Sequence, residues 1–330
     1  MITEKLPRGL TMRHPTMADL EAVTDVIRSC EVALDGTAET TLDDIRTGWQ
    51  MPGFDLTKDA WLVFSDEGKV VGLAGVEHRE HARLYTGGEV HPDYRNRGIG
   101  TYLLHLGEER ARQHIPLAPS GARVTLNCGA NSKDEAKIRL LEEHGFTRVR
   151  YFWRMAIEMD AAPPTPQWAE GITLRTFTPE MTRAVYEADE EAFKDHWGHV
   201  RSPFDEWEHW TVKRKDFDPT LWFLAMDGDE IAGISLCQDE KESGGWVHVL
   251  GVRRPWRRKG VGLALLYHSF GEFYKRDIRN VYLGVDAQSL TGATRLYERA
   301  GMHVIRQYNS YEKELRAGKE LSTQFIDGKG

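Results

Sequence analysis

Apolar and polar positions change their period several times along the second half of the chain, and each change marks an element. Residues 172–177 (ITLRTF) alternate as a half-buried strand does, and the stretch from about Pro179 to Phe193 has helical spacing. LWFLAM and EIAGISLCQ are β-rich runs joined by Asp-Gly-Asp, which predicts a hairpin, and WVHVLGV predicts the next strand. Leu263, Leu266, Phe270 and Phe273 then recur on one face of a helix of about fifteen residues. VYLGVD predicts a further strand, TGATRLYERAG a short helix stopped by Gly301, and HVIRQYNSYEKEL a final strand. This order predicts an α/β fold with a mixed central sheet flanked by helices.

The first half repeats the same phrases. GLTMRHPT from Gly9 returns as GITLRTFT from Gly171, and RNRGIGTYLL from Arg95 returns as RRKGVGLALL from Arg257, both displaced by 162 residues. WLVFSDEGKVVGLAG from Trp61 matches WFLAMDGDEIAGIS from Trp222, and LLEEHGF from Leu140 matches LYERAGM from Leu296. Matches in one order at nearly one spacing indicate a duplicated domain rather than a solenoid of short repeats. The expected division is a first domain over 1–160, a proline-rich linker over 161–170, a second domain over 171–316 and a polar, mobile tail over 317–330.

Charge narrows the chemistry. The chain of 330 residues has a formal net charge of −8, which argues against a nucleic-acid partner. The basic residues near Gly98 and Gly260 stand out locally and suit a small anion. Cys30, Cys128 and Cys237 form no Cys-x-x-Cys pair, so neither a disulfide framework nor a zinc knuckle is expected. His196 and His199 lack a companion ligand at a known spacing, so no metal is expected. No apolar run approaches the roughly 18 residues that span a bilayer. A cytoplasmic protein, monomeric or homodimeric and free of membrane, is the expectation.

Each glycine loop follows a strand and opens a helix, where unpaired N–H groups and the positive end of the helix dipole attract anions. A P-loop needs lysine and Ser or Thr after its last glycine, whereas Lys259 precedes Gly260. A dinucleotide fingerprint needs a third glycine, and Leu265 and Leu103 stand there instead. LGVRRPWRRKGVGLALL and GEVHPDYRNRGIGTYLL resemble the acetyl-CoA loop of the GNAT N-acetyltransferases, and VDAQSLTGATRLYERAGM resembles the same family's second motif. The likeness covers both halves, and the whole looks like a tandem GNAT protein of the mycothiol-synthase-like kind.

The resemblance implies two tandem GNAT domains, each with a splayed strand pair, and direct acyl transfer from acetyl-CoA to an amine. It places pantetheine against Leu250, Gly251 and Val252, and pyrophosphate on the turn formed by Arg257, Arg258, Lys259, Gly260, Val261, Gly262 and Leu263. Ser289 falls where relatives often carry a cofactor-contacting Asn. The first copy's counterparts are Val90, Arg95, Asn96, Arg97, Gly98, Ile99, Gly100 and Thr101. Tyr297 matches the family's general acid. The usual base, a Glu, is replaced by Trp246, and His248 is the alternative because strand alternation would put 246, 248 and 250 on one face. Asp239, Glu240 and Glu242 are fallback bases. Asp195, His196 and Trp197, with Trp246, are the expected acceptor contacts, the acceptor being a small-molecule amine. Leu141 replaces the tyrosine and Gly88 the leucine in the first copy, so catalysis is expected in the second domain alone. A non-catalytic acyl-CoA sensor and a protein N-acetyltransferase are the alternatives.

Overall fold

A computed structural model describes residues 5–241, 243–289 and 291–324. The chain folds as two compact units, Met1–Arg150 with Asn309–Leu321, and Tyr151–Tyr308 with Ser322–Gly330. The units do not follow the sequence repeats, because each takes a closing segment from the other repeat.

In the first unit β1 (Thr11–Arg13) leads into α1 (Leu20–Asp35), α2 (Leu42–Trp49) and the single turn α3 (Leu56–Asp59). Then follow β2 (Ala60–Phe64), β3 (Val70–Arg79), β4 (Arg83–Val90), α4 (Ile99–His114), β5 (Val124–Asn131) and α5 (Glu135–Glu143). Strands β1 to β4 pair antiparallel in order, and β5 runs parallel to β4. The core joins Val63, Val71, Leu84, Leu103 and Leu126 to Leu141 and Phe146. Tyr311, from the far end of the sequence, lies in that same core. It is 1% exposed and donates to Glu142 at 3.2 Å. Arg123 reaches Glu312, Glu314 and Glu320, and Lys319 bridges to Ala122. The described part of the segment expected to be a mobile tail is therefore pinned, at Lys319 by an isolated bridge and at Thr323 and Gln324 by hydrogen bonds with Gly198, His199 and Trp197.

The second unit is entered along β6 (Thr147–Glu158). It continues through β7 (Ile172–Thr176), α6 (Thr182–Phe193), α7 (Phe204–Trp210), β8 (Trp222–Asp227), β9 (Glu230–Asp239) and β10 (Gly245–Val252). Last come α8 (Val261–Lys275), β11 (Asn280–Asp286), α9 (Ala293–Arg299) and β12 (His303–Arg316). β7 to β10 form an antiparallel run, β11 lies parallel to β10, and β6 lies antiparallel to β11 from Phe152 to Glu158. One face packs on α8 through Val247, Leu265, Phe270 and Phe273, and the other on α6 through Val185, Leu224 and Ile234. The predicted strands and helices of this half are all present, and α7 is an addition. No helix among the described residues is long and apolar enough to cross a membrane.

Candidate active site

The glycine loop of the second unit is a built anion cradle. Arg258 has φ 65° and Gly260 φ 84°, so two left-handed residues turn successive N–H groups toward one side before α8 begins. A side chain at Gly260 would meet no atom within 4 Å, so it is backbone conformation that selects glycine there. The N–H of Ala264 closes the first turn on the Gly260 carbonyl at 3.0 Å, leaving those of Val261, Gly262 and Leu263 ahead of the ladder. Gly262 is required differently: a Cβ would lie 3.1 Å from Leu296 Cδ1 of α9. Arg258 and Lys259 are exposed beside the cradle. This is the chemistry that the pyrophosphate of a coenzyme A needs.

Arg257 turns inward. Its guanidinium donates to the carbonyls of Val252 (2.9 Å) and Ala192 (3.0 Å) and to Asp195 (2.6 Å). Arg254 pairs with the same carboxylate. Hydrogen bonds from Arg254 and then Arg257 hold the Asp195 carboxyl down to about 2. Asp195, 2% exposed, is thus the anchor that ties α6 to the loop, and its oxygens are not presented to an acceptor. Half-buried His196 and Trp197 lie beside it, with Trp197 donating to Gln324 at 2.9 Å.

β10 and β11 pair only at Gly245–Val281 and Trp246–Tyr282, then part. The gap opens along Val247–Val252, where a pantetheine arm can add as a strand. A bulge interrupts the pairing of β10 with β9 between Val247 and Val249. It corrects the expected face: Val247 and Leu250 pack on the α8 side and Val249 on the α6 side, so Leu250 does not share a face with Trp246 and His248. The extra residue also leaves backbone groups of His248 outside the ladder. His248 Nε2 lies 3.3 Å from Glu240, joining two residues that the sequence listed as separate candidate bases. Asp239 accepts from the Lys241 N–H at 2.8 Å within the turn, and Glu242 lies outside the described residues. The Arg154 guanidinium lies over the Trp246 ring at 4.4 Å, a contact the motifs did not suggest, and the Tyr282 ring lies tilted to it at 6.0 Å.

Tyr297 lies on α9, 7% exposed within the α8-side core. Burial pushes its phenol up to about 12. Ser289 sits ahead of α9, its Oγ accepting from the Ala293 N–H at 3.4 Å.

The first unit repeats the cradle almost angle for angle. Asn96 has φ 60° and Gly98 φ 80°, with Ile99 opening α4. Arg95 donates to the Val90 carbonyl, and Arg97 stacks on Tyr94. β4 and β5 pair from Arg83 to Tyr85 and then part around a cavity of about 200 Å³ lined by Gly88, Val90, Gly98, Gly100, Thr101 and Leu141. Here the copies diverge. β3 and β4 pair without a bulge, and Leu141 is buried where Tyr297 stands in the second unit. Lys137, at the position of Ala293, extends its ammonium to the Gly88 carbonyl (3.2 Å) and Glu89 (2.9 Å). Burial opposes its charge, but Glu89 outweighs burial and the lysine is held protonated.

A parted strand pair feeding a glycine-rich helix start defines an acyl-coenzyme A transferase fold. The model of the acetyltransferase (GNAT) family matches residues 21–146 and 182–302, and the chain belongs to this family. A mycothiol acetyltransferase of Thermobispora bispora is 33% identical over 226 residues, covering 64% of this chain and 70% of the relative. One of Nocardiopsis dassonvillei is 30% identical over 337 residues, covering 91% and 92%. The crystal structure of a GCN5-related N-acetyltransferase from Sphaerobacter thermophilus superposes with TM-score 0.82 at 41% identity, covering 97% of this chain and 100% of that one. A tandem GNAT protein of the clavulanic acid pathway shares the fold at TM-score 0.72 and 18% identity, covering 94% and 100%. The chain is an acetyl-CoA-dependent acyltransferase built of two GNAT domains.

Proposed function

We infer that the chain acetylates the amine of a small molecule, and that the second unit performs the transfer. The carrying observation is the divergence of the two copies: the second combines a bulged, parted strand with a buried tyrosine, while the first has an unbroken ladder, Leu141 and Lys137 at those places. Acetyl-CoA, when bound, supplies the activated acetyl thioester. Residues Arg258 to Leu263 would hold its pyrophosphate, and the backbone of Leu250, Gly251 and Val252 its pantetheine amides. Unpaired N–H groups at the bulge are placed to stabilise negative charge developing on the carbonyl oxygen. His248 takes the amine proton, with Glu240 orienting the imidazole as the third group of a nucleophile–base pair does. Tyr297, kept protonated by burial, returns a proton to the departing thiolate. Trp246, His196 and Trp197 flank the acceptor, and Asp195 acts through Arg254 and Arg257. Buried free Cys30, Cys128 and Cys237 support a reducing, cytoplasmic setting.

A panel of amines and aminoglycosides, read by free-thiol release at saturating acetyl-CoA, tests the reading. Turnover with at least one amine, lost in Tyr297→Phe, is expected. Thiol release that never exceeds spontaneous hydrolysis, despite bound acetyl-CoA, would point to a binding module instead.

A further inference from the structure

Three histidines that no motif connects meet at the end of the first unit's α4. His78 is the next-to-last residue of β3, His81 sits in the turn to β4, and His114 is the last residue of α4. Their ligand nitrogens all lie within 4.8 Å of one another, and His81 Nδ1 is 2.8 Å from His114 Nδ1. The rings of His78 and His81 stack at 3.9 Å. His114 is 3% exposed, and its Nε2 is buried with no hydrogen-bond partner. A buried imidazole nitrogen without a partner costs free energy, and a turn of the ring that brings Nε2 to a shared metal ion would remove that cost.

The turn itself is strained. Glu80 and His81 have φ 48° and 54°, a left-handed region that a side chain with a Cβ enters only at a cost. Nothing about a tight hairpin requires histidine there, since glycine or asparagine would do the same at less cost. The strained conformation does bring the His81 ring against the other two.

We propose that His78, His81 and His114 bind one Zn²⁺ ion through imidazole nitrogens, with a fourth position left to water. Tetrahedral zinc takes nitrogens at about 2.0–2.1 Å, a sphere that modest rotations of these three rings can complete. The ion would sit at the C-terminal end of α4, where the helix dipole favours a cation. Two cations, Arg110 and Arg79, face the site, and Asp59 is the carboxylate beside them. Arg110 is held by Asp59 at 2.7 Å and Gln113 at 2.9 Å, and Arg79 bends back toward the His78 carbonyl. Half-buried His78 and His81 leave an entry path. The site lies at the opposite end of α4 from the glycine loop, a helix length of about 24 Å away, so it is independent of acetyl transfer. Its role is to clip the β3–β4 hairpin to α4. The histidines are three and thirty-six positions from the first, which is why the sequence led to an expectation of no metal.

The test uses the full-length, tag-free chain stripped with EDTA and dialysed, with ZnCl₂ as the probe. One equivalent bound per chain, measured by calorimetry and elemental analysis, is expected, with a rise in melting temperature. Co²⁺ should give the intense visible bands of a four-coordinate nitrogen site. His81→Gly removes a ligand and relieves the left-handed strain. It should melt no lower than wild type in EDTA, lose the zinc-induced rise, and bind zinc at least tenfold more weakly. His78→Ala should weaken binding similarly. Zinc affinity unchanged in both variants, or no stoichiometric binding by the wild type at micromolar metal, would overturn the assignment.

Discussion

Tyr311 belongs to the second repeat by sequence and to the first unit by packing, and replacing it with alanine separates the two. The side chain is 1% exposed in the core with Leu141 and Phe146, and its hydroxyl donates to Glu142. Removing a buried aromatic of this size costs about 3–5 kcal/mol from lost transfer energy and the cavity left behind. For a unit of this size each kcal/mol lowers the midpoint by about 2–4 °C, so its transition should fall by roughly 6–20 °C. Hydrogen exchange with mass spectrometry locates the loss. Protection should fall across β2 to β5 and α4, which hold the first unit's core, while β8 to β10 and α8 keep theirs. Met155→Ala is the mirror: it comes from the first repeat, is fully buried in the second unit, and should loosen β10, β11 and α8 by about 2–5 kcal/mol. If Tyr311→Ala loosens β8 to β11 and leaves β2 to β5 protected, the exchange of closing segments is wrong.

Three further outcomes follow. Tyr297→Phe keeps the buried ring and removes the proton, so kcat should fall by about 10²-fold or more with the acetyl-CoA dissociation constant nearly unchanged; unaltered turnover would end the acid role. Gly260→Asp puts a carboxylate and a left-handed penalty of about 1–2 kcal/mol into the cradle, and calorimetry on the full chain should lose the second unit's acetyl-CoA site. Undiminished stoichiometry and affinity would remove the loop assignment. Asp195→Asn should destabilise the second unit by about 1.5–3 kcal/mol at neutral pH, the worth of hydrogen bonds between charged groups. Because Arg254 and Arg257 hold the carboxyl below its ordinary 3.8, at about 2, the advantage of wild type is complete above pH 4 and fades as pH falls toward 2. A denaturant titration in which the difference stays constant from pH 6 to pH 2 would contradict that origin.

What could be read from the sequence was local. The glycine loops were legible because a left-handed residue before a helix calls for glycine, and because duplication printed the same demand twice at Gly98 and Gly260. The hairpin at Asp227–Glu230 and the helix holding Phe270 and Phe273 followed from turn chemistry and periodicity. The bulge was invisible for a physical reason: Val247 and Val249 are both apolar, so the pattern reads as simple alternation although they pack on opposite faces. Asp195 looked like an acceptor contact because aromatic and histidine residues follow it, and only the fold brings Arg254 and Arg257 to its carboxylate. The exchanged closing segments were hidden because β-pairing between distant segments leaves no trace in local period.

The divergence at Lys137 bears on the proposal that the second copy alone performs the transfer. Loss of the tyrosine alone would leave a notch able to take the cofactor and hold it unproductively. Lys137 instead puts an ammonium beside the Gly88 carbonyl, inside the opening between β4 and β5 where pantetheine amides would seek backbone partners. Its ion pair with Glu89 is half-buried, so removing one partner leaves the other's charge partly desolvated. A Lys137→Ala variant therefore separates two effects. It should widen the notch and raise first-unit affinity for acetyl-CoA at least tenfold in full-chain calorimetry. It should also lower stability, because the Glu89 carboxylate is left without its partner. A Lys137→Ala, Glu89→Gln double variant should recover part of that stability and keep the gain in affinity. Weaker acetyl-CoA binding in both variants would mean that the ammonium serves the cofactor, and the lysine would then be a ligand of the first site rather than its stopper.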